Sequence, residues 1–160
     1  MTTTMTGLRI DVADLLDKPS ARRECVLEAE IDDLAGTSAR VEAPVHLEMT
    51  LERIPDAIVA RGAVGGTWVA ECSEGLERLE EPFELPFDEL FEAEPVEGET
   101  YPILGEQIDL EQLVRDTVVL ELPLAPVCAE GHPDVRAALE LESPAPDPRW
   151  AALSRLRLED

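Results

Sequence analysis

A chain of 160 residues is about the size of one domain, and with 44% hydrophobic but only 4% aromatic residues its core has to be packed from Val, Leu, Ile and Ala. The formal net charge of -23 disfavours phosphate neutralisation and anionic membrane surfaces as binding modes. No apolar run reaches the roughly 18 residues of a spanning helix, and the N-terminus lacks the basic and apolar stretches of a signal peptide.

Three cysteines at wide spacing, Cys25, Cys72 and Cys128, do not describe a disulfide framework, and a reducing cytoplasm is the expected compartment. The charge is concentrated: residues 75–121 hold 2 basic and 15 acidic residues. Such a segment is either a solvated surface or a surface that meets a basic partner.

In chain order, "DVADLL" predicts a helical turn with Asp11 as cap, ended by Lys18-Pro19. Cys25, Leu27, Ala29 and Ile31 then alternate with Glu24, Val26, Glu28 and Glu30, the period of a half-buried strand. Val41, Ala43, Val45, Leu47, Met49 and Leu51 alternate with Glu42, Pro44, His46, Glu48, Thr50 and Glu52, which predicts one strand whose start, at Pro44, lies on an edge. Ile54-Pro55-Asp56 turns the chain. Gly65-Gly66, between "AIVARGAV" and "TWVAEC", predicts a hairpin turn. Trp68, Ala70 and Cys72 share one face of its second arm.

Phe83, Leu85 and Phe87 alternate with Pro82, Glu84, Pro86 and Asp88, so this strand is expected at an edge or interrupted. "DELFEAEPVEGET" reads as an exposed loop and "YPILGE" as a short strand. Leu110, Leu113, Val114, Thr117 and Val118 fall at helical spacing over about 109–121, with Asp109 and Gln112 placed as a capping box and Pro123 as the stop. Asp147-Pro148 opens a short C-terminal helix after a proline-rich linker, and Trp150 and Leu153 could dock it. The expected fold is α+β: an antiparallel sheet or partly open barrel over 1–143, with short helices near the N-terminus, at 109–121 and in the 144–160 segment.

Few residues invite chemistry. His46 lies on the polar face of its strand. Cys128 and His132 in "CAEGH" have usable metal-ligand spacing, but a closed structural zinc site needs four ligands. Cys72 and Cys25 occupy apolar-face positions, where cysteine acts as a small hydrophobe. Glu71 and Glu74 beside Cys72 are expected to raise its thiol pKa, against a nucleophilic role. No glycine-rich phosphate loop or calcium loop is present in the sequence.

Several stretches together resemble the YceD-like family, the large ribosomal RNA subunit accumulation proteins. They are "LRIDVADLLDKPSARRE", "GAVGGTWVAECSEGLE", "FDELF", "IDLEQLVRDTVVLELPLAPVC" and "DPRWAALSRL", in that order. The family motif is represented by Cys72, Gly75, Leu76, Glu77 and Cys128. Where family members carry a second cysteine three residues after the first, this chain has Gly75, and the further cysteines that usually follow Pro-x-Cys are absent. Cys72 and Cys128 are therefore expected to pack as remnants, with no metal, cofactor or catalytic residue. The resemblance implies a role in accumulating large-subunit ribosomal RNA.

The charge suggests a non-enzymatic factor that holds a basic ribosomal protein or a pre-ribosomal patch. Glu77, Glu80, Glu81, Glu84, Asp88, Glu89, Glu92 and Glu94 are the expected contact residues. The alternatives are direct rRNA binding, through Arg149, Arg155 and Arg157 or through Arg22 and Arg23, and a metal-dependent or thiol enzyme.

Overall fold

The chain alternates apolar and polar residues over long stretches, and the computed structural model, which describes residues 4–6, 8–132 and 149, turns that alternation into one open, curled sheet. Its elements in chain order are β1 (Thr4–Thr6), β2 (Arg9–Asp11), α1 (Ala13–Leu16), β3 (Arg22–Ala29), β4 (Ala39–Val41), β5 (Val45–Ile54), β6 (Ala57–Glu71), β7 (Arg78–Glu92), β8 (Tyr101–Leu104), β9 (Gln107–Asp109) and α2 (Glu111–Glu121). The strand order is β1-β3-β5-β6-β7-β8-β9-β2, with β4 also paired to β6. The pairings are antiparallel except β1 with β3 and β7 with β8. The expected 144–160 linker and C-terminal helix, with Asp147-Pro148, Trp150 and Leu153, lie outside the described residues.

Period two decides which face is covered. Cys25, Leu27 and Ala29 of β3 and Val45, Leu47, Met49 and Leu51 of β5 are buried, while Glu24, Glu28, His46 and Glu48 are exposed. Ile58, Ala60 and Val64 of β6 and Phe87 and Phe91 of β7 continue the inner face. Leu110, just before α2, and Leu113, Val114 and Val118 of α2 close over it, as their helical spacing predicts. Each such side chain contributes about 1.5–3 kcal/mol on burial.

Three expectations are corrected. First, Gly65-Gly66 is not a turn: β6 is continuous over 15 residues, with Gly65 opposite Glu84 and Gly66 opposite Phe83. A side chain at Gly65 would strike the His46 ring and one at Gly66 the Phe83 ring, so both glycines admit close approach inside a strand. The turn expected at Ile54-Pro55-Asp56 does form, between β5 and β6, with Asp56 at φ 65°. Second, the predicted 41–52 strand is broken. β4 and β5 both pair antiparallel with β6, and Pro44 falls in the gap between them; β5 lies inside the sheet, between β3 and β6. A proline nitrogen offers no donor to continue the ladder.

Third, β7 runs on through Glu92, so Asp88–Glu92 belong to a strand and Phe91 is fully buried. The parallel pairing with β8 begins at Phe91 and covers Phe91 and Glu92, so among the described residues the earlier part of that edge carries no strand partner, as the two prolines suggest. At α2, Asp109 accepts a hydrogen bond from the Glu111 amide at 2.9 Å, but Gln112 reaches forward to Asp116 at 2.6 Å, so the reciprocal half of a capping box does not form. Near the N-terminus Asp11 does accept from the Ala13 amide at 3.0 Å.

Candidate functional site

The antiparallel register aligns outward side chains into rows across four strands. One row runs Glu24, Thr50, Arg61 and Asp88; the next Val26, Glu48, Ala63 and Pro86; the third Glu28, His46, Gly65 and Glu84. Carboxylates thus stand on β3, β5 and β7, around a β6 strip that begins at Arg61 and continues through the small residues Ala63 and Gly65. Where β4 gives way to β5, that strip widens into an open depression of 540 Å³, lined by residues that include Pro44, His46, Thr67 and Glu84. The concentration of acids in 75–121 concealed Glu24, Glu28, Glu48 and Glu52. Their signal was the same alternation that predicts the strands.

The eight predicted contact residues do not form one patch. Glu80, Glu84, Asp88 and Glu92 share the outer register of β7. Asp88 is paired with Arg61 at 2.8 Å. Glu81 and Glu89 fall in the opposite register, that of Phe83 and Phe91. Glu89 lines a cleft of 790 Å³ between the β7–β8 loop and α2, which Glu97, Glu99, Tyr101 and Asp116 also line. Burial, then Asp88 and Asp116, push the Glu89 carboxyl above the usual range. The Tyr101 hydroxyl donates to Asp116 at 3.0 Å, and burial raises the phenol's pKa further than that neighbour does. Glu94 is exposed beyond the end of β7, and Glu77 belongs elsewhere.

Arginines offer little to an outside anion. Arg9, Arg23, Arg40, Arg61, Arg78 and Arg115 each contact a carboxylate of the chain. Arg22 and Arg23 do not act as a pair: Arg22 is outward, opposite Glu52, whereas Arg23 bonds Asp14 and the Asp11 carbonyl beside α1. Arg149 is exposed, and Arg155 and Arg157 lie outside the described residues.

A second constellation forms where β6 ends. The Cys72–Glu77 turn is closed by the Leu76 amide on the Cys72 carbonyl at 2.9 Å and the Cys72 amide on the Glu77 carbonyl at 2.7 Å. The Ser73 amide bonds the Pro126 carbonyl at 2.8 Å, drawing in the segment after α2. Cys128 and His132, on that segment's own turn, are thereby brought to Cys72. The Cys128 Sγ lies 3.0 Å from His132 Nε2, and His132 Nε2 lies 3.1 Å from Glu77 Oε2. One donor atom each from Cys72, Glu77, Cys128 and His132 lies within 4.8 Å of all the others. Cys25 is far along β3, opposite Met49, and takes no part.

Two expectations change here. Cys72 is fully buried, as expected, but it does not pack as an ordinary side chain: the amides of Gly75 and Cys128 both point at its sulfur, each at 3.5 Å. With the Glu74 amide and His132, and led by Gly75, they hold the thiol down to about 7 against the opposing effect of burial. Glu71 and Glu74 therefore do not raise it. Burial and the adjacent Cys72 push Cys128 up. Gly75 also has a positive use. A Cβ there would collide with the Glu77 carboxylate and the His132 ring, so the glycine leaves the room they occupy.

Residues 60–157 match the family described as "Large ribosomal RNA subunit accumulation protein YceD". The chain is 28% identical over 170 residues to the uncharacterized proteins Mb2951c of Mycobacterium bovis and Rv2926c of Mycobacterium tuberculosis, covering 91% of this chain and 79% of each relative. It is also 28% identical to the uncharacterized protein ML1660 of Mycobacterium leprae, over 74% of this chain and 61% of that one. No solved structure matches. Among the described residues, no helix is long and apolar enough to cross a membrane.

Proposed function

Because the chain belongs to the YceD family of large ribosomal RNA subunit accumulation proteins, we propose that it is a non-enzymatic, cytoplasmic ribosome-biogenesis factor. It supports accumulation of that RNA by holding a basic ribosomal protein, or a basic patch of a pre-ribosomal particle, against its acidic outer face. The observation that carries this reading is the row arrangement: Glu24, Glu28, Glu48, Glu84 and Asp88 are exposed on one side of a single sheet. Opposite potentials speed encounter and disfavour wrong partners, and a net charge of -23 repels free RNA. Among the described residues, Arg9, Arg23, Arg40, Arg61, Arg78 and Arg115 are already engaged with the chain's own carboxylates, which argues against a direct grip on phosphate by those side chains.

The test is affinity capture from the native cell at low and at moderate salt, with proteins and RNA identified together. The expected result is a basic ribosomal protein or pre-ribosomal particle, released as salt rises and lost with Glu48→Lys combined with Glu84→Lys. Tight binding of protein-free RNA, with no basic protein partner, would overturn the reading.

A further inference from the structure

We propose that Cys72, Glu77, Cys128 and His132 form a four-coordinate site for a divalent zinc ion. The donor set is two sulfurs, one imidazole nitrogen and one carboxylate oxygen, gathered within 4.8 Å. A tetrahedral ion with metal–ligand distances of about 2.0–2.3 Å requires its donors to stand roughly 3.3–3.8 Å apart. The Cys128–His132 and His132–Glu77 separations, 3.0 Å and 3.1 Å, therefore need to open by only a few tenths of an ångström. Sulfur and imidazole ligands select zinc over magnesium and calcium, which take oxygen.

The surroundings are organised around these atoms. The Gly75 and Cys128 amides both aim at the Cys72 sulfur, an arrangement suited to a thiolate that carries charge to a metal. Gly75 has no side chain in the space that the His132 ring and Glu77 carboxylate fill. Leu76 adopts φ 62°, a left-handed conformation uncommon for leucine, within the turn that brings Glu77 back toward Cys72. All four ligands come from protein, so the site is structural. It ties the turn after β6 to the segment after α2, which are 56 positions apart at Cys72 and Cys128. Binding displaces the two thiol protons to solvent and leaves two thiolates, a carboxylate and a neutral imidazole on the ion.

The experiment uses the full chain, reduced and stripped of metal, titrated with cobalt(II) as a spectroscopic substitute and then with zinc. The expected result is one cobalt per chain, with intense visible bands of tetrahedral cobalt and a thiolate-to-cobalt charge-transfer band, all removed by zinc. Cys128→Ser and His132→Ala should each abolish stoichiometric binding. Glu77→Gln should weaken it and keep the charge-transfer band. Cys25→Ser, outside the site, should change nothing. Because wild type alone gives the primary readout, a variant that fails to fold does not blunt the test. Wild-type protein that binds less than one cobalt per chain, or binds it without the thiolate band, overturns the proposal, as does loss of the band in Cys25→Ser.

Discussion

On the outer face of the sheet, carboxylates stand apart at strand spacing with solvent around them. At the Cys72 corner the Glu77 carboxylate stands 3.1 Å from an imidazole that itself contacts a thiol. The first arrangement comes from register alone: once β3, β5, β6 and β7 pair, Glu24 and Asp88 must lie in one row. The second needs two turns, one glycine and the return of the chain after α2. The same side-chain chemistry serves a diffuse field in one place and a directed contact in the other. Substitutions on the outer face should alter association with little effect on folding, and substitutions beneath it should do the reverse.

The largest expected effect is on the inner face. Phe91→Ala removes a fully buried ring that stacks at 5.4 Å from Tyr101, and should cost about 3–5 kcal/mol in urea unfolding without changing the charge. Gly62→Val comes next, at about 1–3 kcal/mol, because its Cβ would press on Met49 at 2.6 Å and on the Glu48 carbonyl. If either protein melts like wild type, the inner face does not hold the rows in place.

The double reversal Glu48→Lys with Glu84→Lys should weaken binding of a basic partner about tenfold or more at low salt while moving stability by only about 0.5 kcal/mol. Calorimetric titration beside a thermal melt separates the two effects, and equal losses in both would erase the distinction. Arg61→Ala breaks a solvent-exposed pair with Asp88 and should lower the melting temperature only slightly, and less in high salt.

Glu89 gives the smallest effect and a sign to check. Its folded-state pKa is raised, so the folded form holds the proton more tightly than the unfolded chain. The ionised carboxylate therefore costs stability at neutral pH, and that cost fades as pH falls through the folded value. Glu89→Gln should raise the melting temperature by about a degree or two at neutral pH and give no gain in acid. A gain of equal size at both would assign the effect to packing.

The alternation in β3 and β5 and the spacing of Leu110 to Val118 made the core legible from local pattern, since each residue's face follows from its own element's period. Gly65-Gly66 misled because the same pair suits a tight turn and a crowded strand interior; only the position of His46 and Phe83 tells them apart. The missing donor of Pro44 is legible in the sequence, but it marks a break between β4 and β5 and not a sheet edge, because which strands it separates depends on pairing. The Cys72 corner was half legible. Cys128 and His132 had ligand spacing, yet Gly75 looked like a lost ligand, because the space it leaves is filled by residues distant in sequence.

The edge of β7 before Phe91, which has no strand partner among the described residues, has a consequence of its own. An unpaired strand edge is a template on which a second copy can build. Here Pro82 and Pro86 withhold two ladder donors, and Glu80, Glu84 and Asp88 alternate along the same stretch. Two molecules meeting there would oppose carboxylate to carboxylate across a broken ladder. The acids and prolines of β7 therefore also guard the chain against edge-to-edge polymerisation.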